Sequence, residues 1–526
     1  MRKTLSILIA AVMMISLLCL GVSADGEPVA VTSEAEFAAM DPAGSYYLAN
    51  DITVTASFAD SFSGTFDGKN HKVTLVDVPL FKKIAGGTVK DLVLEGTALG
   101  NDDLGALANN ANKITVTNVT NNANVTCAET TGSNAWVGGI IGSVNQGGGT
   151  VSVSEVSTFT NVVNNGKVLG QHSDNDARFG GIVGNAAKYQ LCIFISCVNN
   201  GEIEYTGTKT NAYIAGIIGG SFGAEYTDCV NNGSITANKA SSAGGILGRG
   251  TPSSQGGDQS QTFLRCVNNG PIVSNGTGAG GIFAYINEVK DGATQTIKAN
   301  ACINNGSVTN SGSYAGGIGG YVWASETTSH AEITNCVNTG AISGTGEKTW
   351  TSQILCYTNS TKTIINNNIA AGTTTAATDD YDSFIANSTA LIANYTIQNN
   401  YFLNAPKNFS FNASDANVDS RHAFAEAPAG STVSVTAEQL ASGEITYLAN
   451  VFADQEIFFQ TLGTDSLPTT LAGHKSVVAA QDIWVNPTEQ TGGNDNPGTG
   501  DAAVYAAIIA VVSILGMGIA VKARAH

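Results

Sequence analysis

The sequence predicts an all-β solenoid, a parallel β-helix closed by a small C-terminal capping segment. Three observations carry this. A five-residue word, CVNNG, recurs at Cys197–Gly201, Cys229–Gly233 and Cys266–Gly270, with variants CINNG at Cys302–Gly306 and CVNTG at Cys336–Gly340. A second word alternates with it: GGIIG at Gly138–Gly142, GGIVG at Gly180–Gly184, AGIIG at Ala215–Gly219, GGILG at Gly244–Gly248, GGIFA at Gly280–Ala284 and GGIGG at Gly316–Gly320. The composition, with 61 glycines and only 13% charged residues, suits strands and tight turns rather than helices.

Each unit extends beyond its word. Six residues after the cysteines stand Ile203, Ile235, Ile272, Val308 and Ile342, and three before them stand Phe194, Tyr226, Phe263, Ala299 and Ile333. Two earlier copies place Val119 and Val162 where the cysteine belongs. A unit of two or three short strands buries no face alone, whereas stacked units bury a continuous core. Two arrangements could do this. In one, Asn-Gly closes a hairpin; the segments that follow, such as SITANK and PIVSNGTG, soon turn polar. In the other, Asn-Asn-Gly is the corner of a coil lying about 4.8 Å above the last. Identical residues then form ladders: Cys197, Cys229, Cys266, Cys302 and Cys336 filling the interior, and Asn200, Asn232, Asn269 and Asn305 pairing between coils, with the glycine permitting the turn.

The chain divides into five parts. Residues 1–24 read as a signal peptide, basic at Arg2 and Lys3, then apolar, with cleavage between Ala24 and Asp25. Residues 25–404 hold the repeats. Residues 405–484 form the capping region, where Thr436 and Gln439 have capping-box spacing and start a short helix. That cap is expected to cover the open end of the last coil, whose edge strand otherwise invites aggregation. Residues 485–500 are a polar linker too poor in apolar residues to fold. Residues 501–526 contain an apolar span long enough to cross a bilayer and a basic tail.

Several segments resemble known families. YYLANDIT (Tyr46–Thr53), GTFDGKNHKVTL (Gly64–Leu75) and LFKKIAGGTVKDLVLEG (Leu80–Gly96) resemble the opening of GLUG-motif, pectate-lyase-like bacterial surface proteins, and the GGIxG words resemble the GLUG repeat. TAEQLASGEITYLAN (Thr436–Asn450) and FFQTLGTDSLP (Phe458–Pro468) are similar to a closing segment found after such repeats; Phe458 stands where that family commonly carries Trp. The resemblance implies a right-handed coil, the hand that parallel crossovers favour. The run Asn496-Pro497-Gly498-Thr499-Gly500, followed by the apolar span and basic tail, resembles the cell-wall sorting signal of Gram-positive bacteria. That implies sortase cleavage between Thr499 and Gly500 and attachment to peptidoglycan, with the membrane touched only through the span before sorting. Asn496 replaces the leucine that usually opens the motif.

Little in the chain points to catalysis. A net charge of -18 repels nucleic acid. The repeat cysteines fall one per unit, which does not give the paired spacing of a zinc site, so neither a metal nor a cofactor is expected. There is no HExxH, GxSxG or phosphate-loop motif. The cluster His172, Asp174, Asp176 and Arg178 reads as a solvated loop, and Asp67-Gly68 as a turn. Trp136, Trp323 and Trp350, with Tyr213 and Tyr321, lie in or beside the loops between words and are candidates for glycan contact. The expected function is adhesion or ligand display toward host or dietary glycans or a matrix protein. The alternatives are a secreted polysaccharide lyase or glycosidase, and a structural coat or spacer without a specific ligand.

Overall fold

The chain is described by a computed structural model covering residues 27–128, 135–145, 156–171, 176–187, 191–208, 212–238, 241–251, 260–286, 296–323, 330–360, 362–386, 392–410, 422–480 and 483–487. The cleavage pair Ala24–Asp25, the sorting motif Asn496–Gly500 and the apolar span lie outside these residues. Among the described residues no helix is long and apolar enough to cross a membrane.

The fold is a parallel β-helix solenoid. One coil runs Leu191–Ile195, Val198–Asn199, Ile203–Tyr205, Tyr213–Ala215 and Ile218–Ser221, and the next coil repeats the order. Among the described residues like strands stack in parallel register into sheets of 32, ten and eight strands. Successive CVNNG words and their forerunners are offset by 43, 35, 32, 37, 36 and 34 residues. The repeat therefore conserves the strands and lets the connecting loops vary.

Each column of the coil has its own chemistry. The position three before the cysteine forms a stack of rings inside the coil: Phe159, Phe194, Tyr226 and Phe263 lie 5.0, 5.4 and 4.7 Å apart and within 11° of parallel. Behind it the five ladder cysteines are fully buried and unbridged. Each thiol points at a carbonyl oxygen of the preceding coil, Cys197 Sγ at Phe159 O (3.4 Å) and Cys229 Sγ at Phe194 O (3.6 Å), for example. A cysteine thus fills the volume of a valine and adds a weak donor.

The asparagines form two ladders. The second asparagines of the words are exposed, and each donates back along the chain: Asn200 Nδ2 to Asn165 Oδ1 and Asn232 Nδ2 to Asn200 Oδ1, both at 2.8 Å. The first asparagines, Asn164, Asn199, Asn231, Asn268, Asn304 and Asn338, are completely buried, and each of the first five donates forward to the next at 2.8 Å. Each of the inner amides also reaches a carbonyl two residues on, such as Asn231 Nδ2 to Gly233 O at 2.9 Å. From Asn164 to Asn304 both hydrogens of each inner amide are used, as the buried position requires.

The corner differs from the sequence expectation. The left-handed residue is the one before the cysteine: Asn118, Asn161, Ser196, Asp228, Arg265, Ala301 and Asn335 take φ of 52 to 57°. The word's glycine has no positive φ. It is small because a Cβ on Gly233 would overlap the carbonyl oxygen of Gly201, and one on Gly270 that of Gly233. The glycine word obeys the same constraint across the coil. A Cβ on Gly216 would strike the side chain of Asn231, and one on Gly245 that of Asn268. The two repeated words therefore meet in the interior, at a waist too narrow for two side chains.

Added elements pack against the coils toward both termini. Near the N-terminus, helix α1 (Glu34–Ala38) inserts Phe37 edge-on against Phe58, Phe66 and Phe81 at 5.6 to 5.9 Å. Near the C-terminus, α2 (Ala437–Ala441) starts at the capping box, Gln439 N to Thr436 Oγ1 (3.2 Å) and Thr436 N to Gln439 Oε1 (3.0 Å). It leads into α3 (Glu444–Ala453). Two expectations change here. Parallel stacking runs past residue 404, to Thr432–Ser434 on Asn400–Phe402. The cysteine column continues as Asn368 and Asn400, whose Nδ2 groups reach Ile333 O (2.9 Å) and Ile365 O (2.8 Å) as the thiols do in earlier coils. The word is lost while its geometry persists. In addition, the cap lies along the flank, where Leu440, Ile445, Ala449 and Phe458 cover Val267, Ile303 and Val337, which follow ladder cysteines, and Ile369, which follows Asn368. Thr470 Oγ1 ties it down on Ala301 O at 2.6 Å.

Candidate functional site

The ten- and eight-stranded sheets join at the GGIxG words, and their outward side chains face each other across a trough. One wall carries the residue two before each word: Trp136, Arg178, Tyr213, Ser242, Gly278, Tyr314 and Trp350. The other carries the residue directly after it: Ser143, Asn185, Gly220, Arg249, Tyr285, Tyr321 and Tyr357. The walls are complementary in size, with Tyr213 opposite Gly220, Arg249 opposite Ser242 and Tyr285 opposite Gly278.

The aromatic candidates named from sequence fall on this trough. Trp136 is half-buried on the first wall, and Trp350 is only 6% exposed, packed edge-on against Tyr381 at 4.7 Å. Trp323 is half-buried and lies parallel to Tyr321, centroids 6.2 Å apart. Tyr285, Tyr321 and Tyr357 stack on successive rungs at 5.1 Å and 10°. Tyr314 leans on two of them, at 5.2 and 4.9 Å. Because these rings stack on one another, their faces are largely occupied. The row therefore offers edges and phenol oxygens at a regular spacing, a comb of polar contacts more than a flat platform.

Two arginines complete the trough. Arg178 does not lie in a solvated loop as its sequence neighbours suggested; it is 6% exposed. Its Nη1 donates to Asn185 Oδ1 and its Nη2 pairs with Asp176, both at 2.5 Å, while the chain lies over Gly220. His172 and Asp174 lie outside the described residues. Arg249 rests its guanidinium on the Tyr213 ring, 4.6 Å from the centroid. Sequence reading did not single out Arg249, although its place directly after GGILG would have found it.

The electrostatics favour donors. Burial pushes the phenols of Tyr213, Tyr285, Tyr314 and Tyr357 up, so they stay protonated at neutral pH. At the N-terminal end, level with Trp136, burial lifts the Asp103 carboxyl to about 7, opposed by the backbone N–H it accepts from Trp136. Burial likewise pushes the ladder thiols Cys229, Cys266 and Cys302 well up, so they are not thiolate nucleophiles. Asp67 is buried between Lys90 (2.8 Å) and Lys69 (3.0 Å), and the turn falls just after it, at Lys69 and Asn70.

Fold and site together define a parallel β-helix with a donor-rich aromatic trough along one flank. Comparison with known proteins places part of it. Residues 39–123 match the model of the M26 IgA1-specific metallo-endopeptidase N-terminal region, a span that includes the opening segment Tyr46–Gly96. The chain is 29% identical over 160 residues to an immunoglobulin A1 protease of Streptococcus pneumoniae, covering 28% of this chain and 7% of that protein. It is 30% identical over 157 residues to the zinc metalloprotease ZmpC of the same species, covering 27% and 8%. An immunoglobulin A1 protease of Streptococcus sanguinis matches at 27% over 156 residues, covering 27% and 8%. The chain thus spans less than a tenth of the relatives it matches. The sequence has no HExxH, and among the described residues no three His, Cys, Asp or Glu side chains group to hold a metal.

Proposed function

We propose that this chain is an extracellular solenoid of a Gram-positive bacterium, attached to the cell wall through Thr499, whose trough binds host or dietary glycans or a glycan-bearing protein. The observation that carries the binding role is the trough itself: every coil from Trp136 to Trp350 contributes at least one aromatic or cationic side chain to it. The likeness to streptococcal proteins named for immunoglobulin A1 supports the surface location and makes that immunoglobulin a partner worth testing. A stiff rod repeating one geometry at each coil suits a multivalent ligand. The enzyme reading is less well supported. Glycoside hydrolysis commonly needs two facing carboxylates, whereas Asp103 and Asp176 sit two strands apart along one wall and Asp176 is paired with Arg178.

Two measurements test this. Binding of the full chain to a panel of oligosaccharides and to immunoglobulin A1 is expected to fall about tenfold, ~1.4 kcal/mol, on Tyr321→Ala with Tyr357→Ala, at unchanged β-sheet circular dichroism. Unchanged binding refutes the trough as the site. Thr499→Ala is expected to shift the protein from the covalent wall fraction to the membrane fraction, and persistence of the wall-linked form refutes the attachment.

A further inference from the structure

The stretch of trough between Trp136 and Arg249 holds a specific imbalance. Trp136 Nε1, Arg178 Nε and Arg249 Nε are buried nitrogens that meet no acceptor. The register places them on the first, second and fourth of four successive rungs. Trp136, Arg178 and Tyr213 occupy adjacent rungs of one wall, and Arg249 stands one rung beyond Gly220 on the facing wall. Arg178 lies across Gly220, which brings the two arginines to the same segment. A buried donor left unpaired costs about 1–3 kcal/mol, and native proteins keep few of them. Here three N–H donors fall within four rungs, and Ser143 Oγ on the facing wall, in the coil of Trp136, is unpaired as well.

Charge gives a second, independent indication. Arg178 is matched by Asp176 and Asn185. Among the described residues Arg249 has no carboxylate partner. Among the described residues its guanidinium is held on the Tyr213 ring, in a chain whose net charge is -18 and whose acids outnumber its bases 42 to 24. The nearest trough carboxylates are Asp176, already paired, and Asp103, level with Trp136 at the far end. A guanidinium held on a ring presents its fork of N–H groups, which fits a carboxylate or sulfate in two-pronged fashion.

We infer that this segment is an oxyanion subsite that seats the carboxylate or sulfate of an acidic saccharide against Arg249, with Arg178 Nε as the neighbouring donor and the Trp136 indole as a further donor to the same ligand along the trough. The inference rests on the glycan reading above and narrows it. The tyrosine comb farther along would contact the neutral remainder of the same ligand.

Calorimetric titration of the full chain tests this with four probes: a uronate-bearing oligosaccharide, a sulfated one, their neutral counterpart and inorganic sulfate. Acidic saccharides are expected to bind about tenfold or more tighter than the neutral one. The advantage should shrink with added salt, disappear in R249Q and weaken in W136F, which keeps the ring and loses the donor. The melting temperature reports whether each variant is folded, and a folded R249Q decides the question; if R249Q does not fold, W136F decides it. The relative strength of the uronate and sulfate arms identifies the oxyanion. Equal binding of neutral and acidic saccharides, or an R249Q that keeps the preference, overturns the oxyanion subsite and leaves glycan binding standing. Binding of inorganic sulfate alone also overturns it, as an adventitious ion only. No saccharide bound at all overturns both readings.

Discussion

Asn268→Asp is expected to destabilise the solenoid at pH 7 by about 3–5 kcal/mol, because it puts a carboxylate into the inner ladder. Asn268 is fully buried; its Nδ2 donates to Asn304 Oδ1 at 2.8 Å and to Gly270 O at 3.0 Å, and its Oδ1 accepts from Asn231 Nδ2 at 2.8 Å. An aspartate keeps the acceptor and loses both donors, so an oxygen would face two oxygens in a place water does not reach. Burial and these acceptors favour the protonated acid, which raises its pKa in the folded state above the unfolded value of about 3.9. The sign follows from linkage. Above pH 4 the unfolded state loses the proton first, so the stability of the variant relative to the native chain falls as pH rises from there to the folded pKa, then levels off. Urea unfolding of both proteins at pH 4 and pH 7 checks this. An equal difference at the two pH values would show that the cost is not that of a buried carboxylate. Asn269→Asp, one residue on in the exposed ladder, is expected to cost far less, since water solvates its charge.

Gly233→Ala is expected to cost about 4 kcal/mol or more, or to prevent folding. The glycine needs no unusual φ, and the cost comes from contact: the added methyl would overlap the Gly201 carbonyl and come within 2.8 Å of Asn199 Nδ2. Relief would require two coils to separate, breaking both asparagine ladders and the strand pairing beside them. Gly430 makes the opposite case, with φ of +77° and nothing within 4 Å of a new Cβ. Gly430→Ala should cost only about 1 kcal/mol, a purely conformational penalty. The urea midpoints of the two variants separate the mechanisms, and similar losses would refute the contact account.

The periodic words identified the architecture because a coil stacked on its own image repeats every side chain that faces a neighbouring coil. The same logic marked the cysteines as interior and the second asparagines as a ladder. It missed Asn199, Asn231 and Asn268, whose burial depends on where the glycine word passes, and no spacing along the chain reveals that. It stopped at residue 404 because the next stacked strand, Thr432–Ser434, carries neither repeated word. It also placed the cap over the end of the coil, since an amphipathic helix does not announce which apolar surface it will cover. The trough was half legible: Trp136, Trp323 and Trp350 stood out by residue type, but Arg178 was read with its polar neighbours and Arg249 was passed over.

By itself, then, the sequence determined that this protein is a stack of like coils, and which residues repeat in register. Repetition is a property of the chain, and a ladder forms wherever an identical residue returns at the same height. Only the tertiary structure decided which face of the coil each residue occupies and what lies opposite it. The glycine words and asparagine words share a waist, and the side chains flanking the glycine words face each other across a trough, because two sheets meet at an angle that no single strand encodes.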